Sequence, residues 1–217
     1  MEKQEVLDRM VREGLIPVVR VSASQEAMDV ADALKTAGVS LIEIAMTVQG
    51  AMGVIKELSR KFGEKVVIGA GTVLDPETAK EAVLAGARFL VSPSLNLDLI
   101  HFARQTGVVV IPGAMTPTEI VTAWNAQADM VKVFPVGQVG GPDYIRALKG
   151  PLPQIPLVPT GGVNLQNAGA FIRAGAAALG VGGELVDKKA VAQRNFGLIK
   201  ENAMAFLKAI REAREKG

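Results

Sequence analysis

The chain has 217 residues, 49% hydrophobic and only 4% aromatic, a formal net charge of +2, one His and no Cys. That length suits one domain, 1–217, with a sizeable core, and the residue counts exclude thiolate chemistry, disulfides and any multi-His metal centre within the chain. Its 24 basic and 22 acidic residues nearly balance, no basic block is interleaved with aromatics, and no apolar run reaches the roughly 18 residues of a membrane span, so neither nucleic acid nor membrane is expected as a partner. The first residues, MEKQEVLDRMVREG, are charged and helix-periodic rather than like a signal peptide, and a soluble cytoplasmic protein is expected.

A helix over 2–13 leads the chain. Short apolar β-rich runs follow at 15–21, 40–46, 65–71, 88–93, 108–114, 128–136, 155–162 and 178–183. Most are near-continuous apolar runs, as strands covered on both faces should be. Amphipathic helical patterns separate them. One over 24–38 has Ser24 as N-cap and stops at Gly38; one over 75–87 sets Asp75 before Pro76. LDLIHFARQTG is also helix-periodic and carries His101 away from any strand end. A pattern over 116–126 opens with Thr116, Pro117 and Glu119, a capping box. Another over 164–176 starts at Asn164, and a last helix spans 188–214. Eight strands in strict βα alternation predict a single-domain α/β fold, a (β/α)₈ TIM barrel with an extra N-terminal helix across its bottom; a doubly wound open sheet is the alternative.

In a parallel barrel the chemistry gathers at the C-terminal ends of the strands. Those ends carry Arg20, Glu43 with Thr47, Thr72, Ser92 with Pro93, Pro112, Lys132 with Phe134, Thr160-Gly161-Gly162, and Gly182-Gly183. Lys132 stands among apolar β-formers in DMVKVFPV. Desolvation would lower its pKa, and a neutral amine can attack a carbonyl to form a Schiff base; an edge-strand lysine with its head in water is the other reading. Glu43 in LIEIAM is either a general acid/base for that chemistry or half of a buried ion pair. Arg20 is either a carboxylate clamp or a structural salt-bridge residue. PTGGVN and GVGGEL place glycine-rich loops on neighbouring strands, where backbone amides can bind phosphate. Trp124, Tyr144 and the eight Met read as packing residues.

Together these segments resemble the 2-keto-3-deoxy-6-phosphogluconate (KDPG) and 4-hydroxy-2-oxoglutarate (KHG) aldolase family. The likeness runs from IPVVR to GVGGELV through IEI, IGAGTVL, VSP, IPGAMTPTE, VKVFP and VPTGGV, in order. It implies a metal-free, cofactor-free class I aldolase, a homotrimer whose small-molecule substrate is a keto acid split to pyruvate and an aldehyde. By resemblance Lys132 is the Schiff-base lysine and Glu43 the proton shuttle. Thr72, Pro93 and Phe134 would shape the pyruvate pocket, Arg20 would bind the carboxylate, and Thr47 would help hold the substrate. Thr160, Gly161, Gly162, Gly182 and Gly183 would form the phosphate end. The chain departs from the family pattern at Ala45, Thr47 and Gly183, where many members have Thr, Arg and Ser. An aldolase preferring the galactonate epimer or an unphosphorylated keto acid, and a non-catalytic phosphometabolite-binding or scaffold barrel, are the rival readings. An epimerase-like barrel would want strand-end His, Asp or metal ligands that are scarce here.

Overall fold

Parallel strands alternate with helices along the computed structural model, which describes residues 1–215. The leading helix Lys3–Glu13 (α1) precedes Leu15–Val19 (β1), Ser24–Thr36 (α2), Leu41–Ala45 (β2), Ala51–Phe62 (α3) and Val67–Gly71 (β3). Next come Pro76–Ala85 (α4), Phe89–Val91 (β4), Leu97–Thr106 (α5), Val109–Ile111 (β5), Gly113–Ala114 (β6) and Pro117–Asn125 (α6). The chain continues through Val131–Val133 (β7), Pro142–Lys149 (α7), Leu157–Pro159 (β8), Ala168–Arg173 (α8), Leu179–Val181 (β9), Lys188–Ala192 (α9) and Phe196–Glu215 (α10).

Each predicted strand contains an observed one, trimmed at its ends. The run 108–114 holds two, because Pro112 has no N–H to continue the ladder. Its carbonyl still accepts from the Lys132 amide at 2.9 Å, so the short β6 is hydrogen-bonded to β7 across the break. The strands form a six-stranded sheet, ordered β5-β4-β3-β2-β1-β9, and a three-stranded one, ordered β6-β7-β8. One isolated parallel bridge, Thr160 to Gly180, links β9 to the residue after β8.

Period-two alternation sorts the strand residues into two layers. Ile42, Ile44, Ile68, Leu90, Val131 and Leu157 face the helices and belong to the larger core. The alternate positions, such as Ile16, Leu41, Val67, Phe89, Val109 and Val158, form a second cluster. It draws on both sheets and is closed at one end by Val6 and Met10 of α1. The leading helix therefore plugs the strands' N-terminal end, as its position in the sequence predicts.

Helix starts follow their cap chemistry, with corrections. The Asp75 side chain accepts from the Thr78 amide at 2.7 Å, and Thr116 with Glu119 forms the expected capping box. The N-cap of α2 is Ala23, one residue before the predicted Ser24. Glu26 reaches back to the Ser22 and Ala23 amides at 3.0 and 3.1 Å, while the Ser24 hydroxyl is spent on the Gln49 carbonyl. The helix predicted from Asn164 begins only at Ala168, since Asn164 and Asn167 bond each other's amides at 2.8 and 3.0 Å and hold a turn. The predicted 188–214 helix is two, interrupted at Arg194, whose φ of 53° is not helical. Helices α3 and α7 carry no polar N-cap signal, because glycines, Gly50 and Gly141, occupy those positions.

Candidate active site

Lys132 is the centre of β7, paired on one side with Gly113 and on the other with Val158. Met130, two residues earlier, lies in the inner cluster, and the same alternation carries Lys132 to that face. Only 4% of the residue is exposed, and its Nζ sits 4.8 Å from the Phe134 ring centroid. Burial pushes its pKa down, Glu43 pulls it up, and Arg20 pushes it further down.

Glu43 is reached by the same logic from β2, two residues after the inner-facing Leu41, and is 2% exposed. Its Oε1 is buried without a hydrogen-bond partner. Desolvation raises its pKa, opposed by the Lys132 and Arg20 charges. An ion pair of Glu43 with Lys132, one of the two sequence readings, is not among the salt bridges of the described residues. Burial thus disfavours the charged form of both groups. Gly71 makes room for this arrangement: a Cβ there would overlap the Glu43 carboxyl. The second glycine of GAGT, the last residue of β3, is therefore a seat for Glu43.

Thr72 follows with φ of 60°, a left-handed conformation that is costly for a β-branched residue. Its hydroxyl accepts from the Arg20 guanidinium at 3.3 Å, which draws Arg20 over the strand ends. A cavity of about 200 Å³ opens there, lined by Arg20, Lys132, Phe134, Thr160 and the glycines 161, 162, 182 and 183. Thr160 is 8% exposed, and its hydroxyl donates to the Val158 carbonyl at 3.3 Å. Gly161 and Gly162 adopt φ of 80° and 87°, which L side chains rarely take. Among the described residues, the amides of Gly162, Val163, Gly182 and Gly183 donate no hydrogen bond, whereas that of Gly161 belongs to the Thr160–Gly180 bridge. These four amides can face an anionic ligand.

The remaining predicted residues take other places. Glu43 lies beneath the cavity rather than in its wall. Thr47 lines an adjoining cavity beside Arg20. Pro93 is half-buried, and its backbone sits so close to Gly113 that a Cβ there would overlap it, so it braces the β4 and β6 ends. The hydroxyl of Tyr144 donates to the Met115 carbonyl at 2.5 Å, which explains that residue structurally, and His101 contacts only Gln105 on the surface of α5 among the hydrogen-bonded pairs. Two charged wall residues were not singled out by the sequence, Glu184 within GVGGEL and Lys188 beyond any motif. They follow strand-end glycines in a polar stretch, where nothing in the spacing distinguishes them from solvated charges.

Fold and site together define a family of aldolases: the KDPG and KHG aldolase model matches residues 6–202. The chain belongs to that family. It is 35% identical over 194 residues to the 2-dehydro-3-deoxy-phosphogluconate aldolase of Pseudomonas aeruginosa, covering 89% of this chain and 87% of the relative. It is 36% identical over 200 residues to the 2-dehydro-3-deoxy-6-phosphogalactonate aldolase of Escherichia coli K12, covering 92% and 95%. Among solved structures, KDPG aldolase from Legionella pneumophila, with pyruvate captured as a covalent carbinolamine, superposes with a TM-score of 0.86 at 29% identity, covering 92% and 97%.

Proposed function

We propose that this chain is a class I aldolase that splits 2-keto-3-deoxy-6-phosphogluconate into pyruvate and glyceraldehyde 3-phosphate, with 4-hydroxy-2-oxoglutarate as a second substrate. The single observation that carries the reading is the Lys132–Glu43 pair, both buried at the middle of their strands and both biased toward neutrality. We place it on a single-domain, closed (β/α)₈ barrel: support comes from the Thr160–Gly180 bridge, the Pro112–Lys132 bond across the broken strand, and an inner cluster shared by both sheets. A cytoplasmic homotrimer belongs to the same proposal and rests on the family resemblance.

The neutral Lys132 amine attacks the C2 carbonyl, its own proton moving to the oxygen, to give a carbinolamine. The Glu43 carboxylic acid protonates the C2 hydroxyl, which leaves as water, and an iminium remains opposite a carboxylate. That carboxylate takes the C4 hydroxyl proton. The C3–C4 bond breaks into the iminium, which accepts the electron pair as an enamine, and the aldehyde departs. Glu43 returns the proton to C3, and water hydrolyses the new iminium to free pyruvate and the amine, the released proton going back to the Glu43 carboxylate. Arg20 would hold the keto-acid carboxylate, and the four open amides would take a phosphate.

A second reading has its own support. The Escherichia coli relative named for the phosphogalactonate epimer is as similar as the phosphogluconate one, so the configuration at C4 is to be measured with both epimers. Borohydride reduction in the presence of pyruvate, followed by peptide mass mapping, tests the chemistry. An adduct on Lys132 is expected; its absence there would rule the Schiff-base mechanism out. Glu43→Gln should lower kcat about 100-fold or more while still allowing imine to be trapped, and full activity would make Glu43 a structural residue.

A further inference from the structure

The cavity over Lys132 continues past the glycine loops. A second cavity, of about 360 Å³, adjoins it and is lined by Thr47, Ser22 and Glu26 among others. Two side chains line both spaces, Arg20 and Lys188. Arg20 is tethered to Thr72. Lys188 is exposed, stands at the start of α9, and takes part in no ion pair among the described residues. Glu184, four residues earlier, is a further exposed charge on the cavity wall, as is Arg20.

The open amides of Gly162, Gly182 and Gly183 offer dipoles but no net charge, and Gly183 contributes no hydroxyl. A dianion seated on them would face the Glu184 carboxylate; Arg20 is tethered to Thr72 and assigned to the keto-acid carboxylate, which leaves Lys188 as the second exposed cation of that wall. We infer that Lys188 is the specificity-determining side chain of the aldehyde end: its ammonium selects keto acids whose far terminus is anionic, and Glu184 opposes it. This rests on the aldolase reading above and assigns its charge discrimination to a residue outside the family motifs.

The test compares 2-keto-3-deoxy-6-phosphogluconate with its unphosphorylated counterpart in wild type, Lys188→Gln and Glu184→Gln. One exposed charge-assisted contact is worth about tenfold in KM. Lys188→Gln should therefore raise KM for the phosphorylated substrate about tenfold, flatten its salt dependence, and leave kcat and the unphosphorylated reaction unchanged. Glu184→Gln should move KM for the phosphorylated substrate the other way. Equal effects on both substrates, no effect of Lys188→Gln, or a wild type without preference for the phosphorylated substrate would each overturn the inference. Borohydride trapping of pyruvate on all three proteins separates the two levels. No adduct in the wild type sinks the aldolase reading and this one with it; adducts throughout without a KM split sink only the role of Lys188.

Discussion

Glu43 and Lys132 are placed where a charge is costly, and the cost has a measurable sign. Burial raises the Glu43 pKa above 4.5, so the folded state holds that proton more tightly than the unfolded chain. The stability this contributes is complete below pH 4.5 and is lost as pH rises through the raised value. Lys132 runs the other way: its pKa falls below 10.5, so charging it on acidification weakens the fold. Glu43→Gln keeps the shape of the side chain and removes the first dependence. Thermal melts of the two proteins should coincide near pH 4 and diverge toward pH 8, with the variant more stable by about 1–2 kcal/mol. Parallel melting curves across that range would mean that the carboxyl is not desolvated. Both residues were legible in the sequence as ionisable groups inside apolar runs. Gly71, whose lack of a side chain seats Glu43, read only as the end of the strand run 65–71, because what a glycine makes room for depends on a neighbouring strand.

Secondary-structure elements were legible wherever their start is written in side-chain chemistry. Asp75 and Thr116 mark α4 and α6 because their side-chain oxygens accept the orphan amides of Thr78 and Glu119. Helices α3 and α7 begin at glycines and escaped that rule, although the Ala51, Val54, Ile55, Leu58 and Phe62 spacing is a helical face that would have found α3. The caps also predict an acid response. Hydrogen bonds from Thr78 hold the Asp75 pKa down, and those from the Met115 amide and Thr116 hold Glu119 down. A depressed carboxyl contributes stability above its ordinary range and loses it as pH falls through the lowered value. Amide hydrogen exchange at Thr78 and at the Met115–Thr116 pair should therefore accelerate below about pH 4 relative to the amides of the helix centres, where no carboxylate cap is involved. Uniform acceleration along α4 and α6 would show that the caps do not control the fraying.

At the scale of the whole molecule, βα alternation revealed the order of the strands but not the strength of each joint between them. Neighbouring strands β1 to β4 are joined by ladders of paired residues, whereas β9 meets the end of β8 through the single Thr160–Gly180 bridge. That joint lies in the wall of the catalytic cavity, since both residues line it. A packed interior transmits a local overlap to its neighbours. Gly180 is the sensitive point, because a Cβ there would overlap the Thr160 hydroxyl. In Gly180→Ala the two strands must part at their weakest connection, and overpacking of this kind costs about 1–3 kcal/mol. For a domain of this size each kcal/mol lowers Tm by about 2–4 °C. The same shift moves Thr160 away from Lys132, so kcat/KM should fall by more than the loss of stability explains at temperatures where the variant is fully folded. Calorimetry together with single-turnover kinetics below the transition separates the two effects. Lost stability with undiminished turnover would place the bridge outside the chemistry, as a seam of the fold alone.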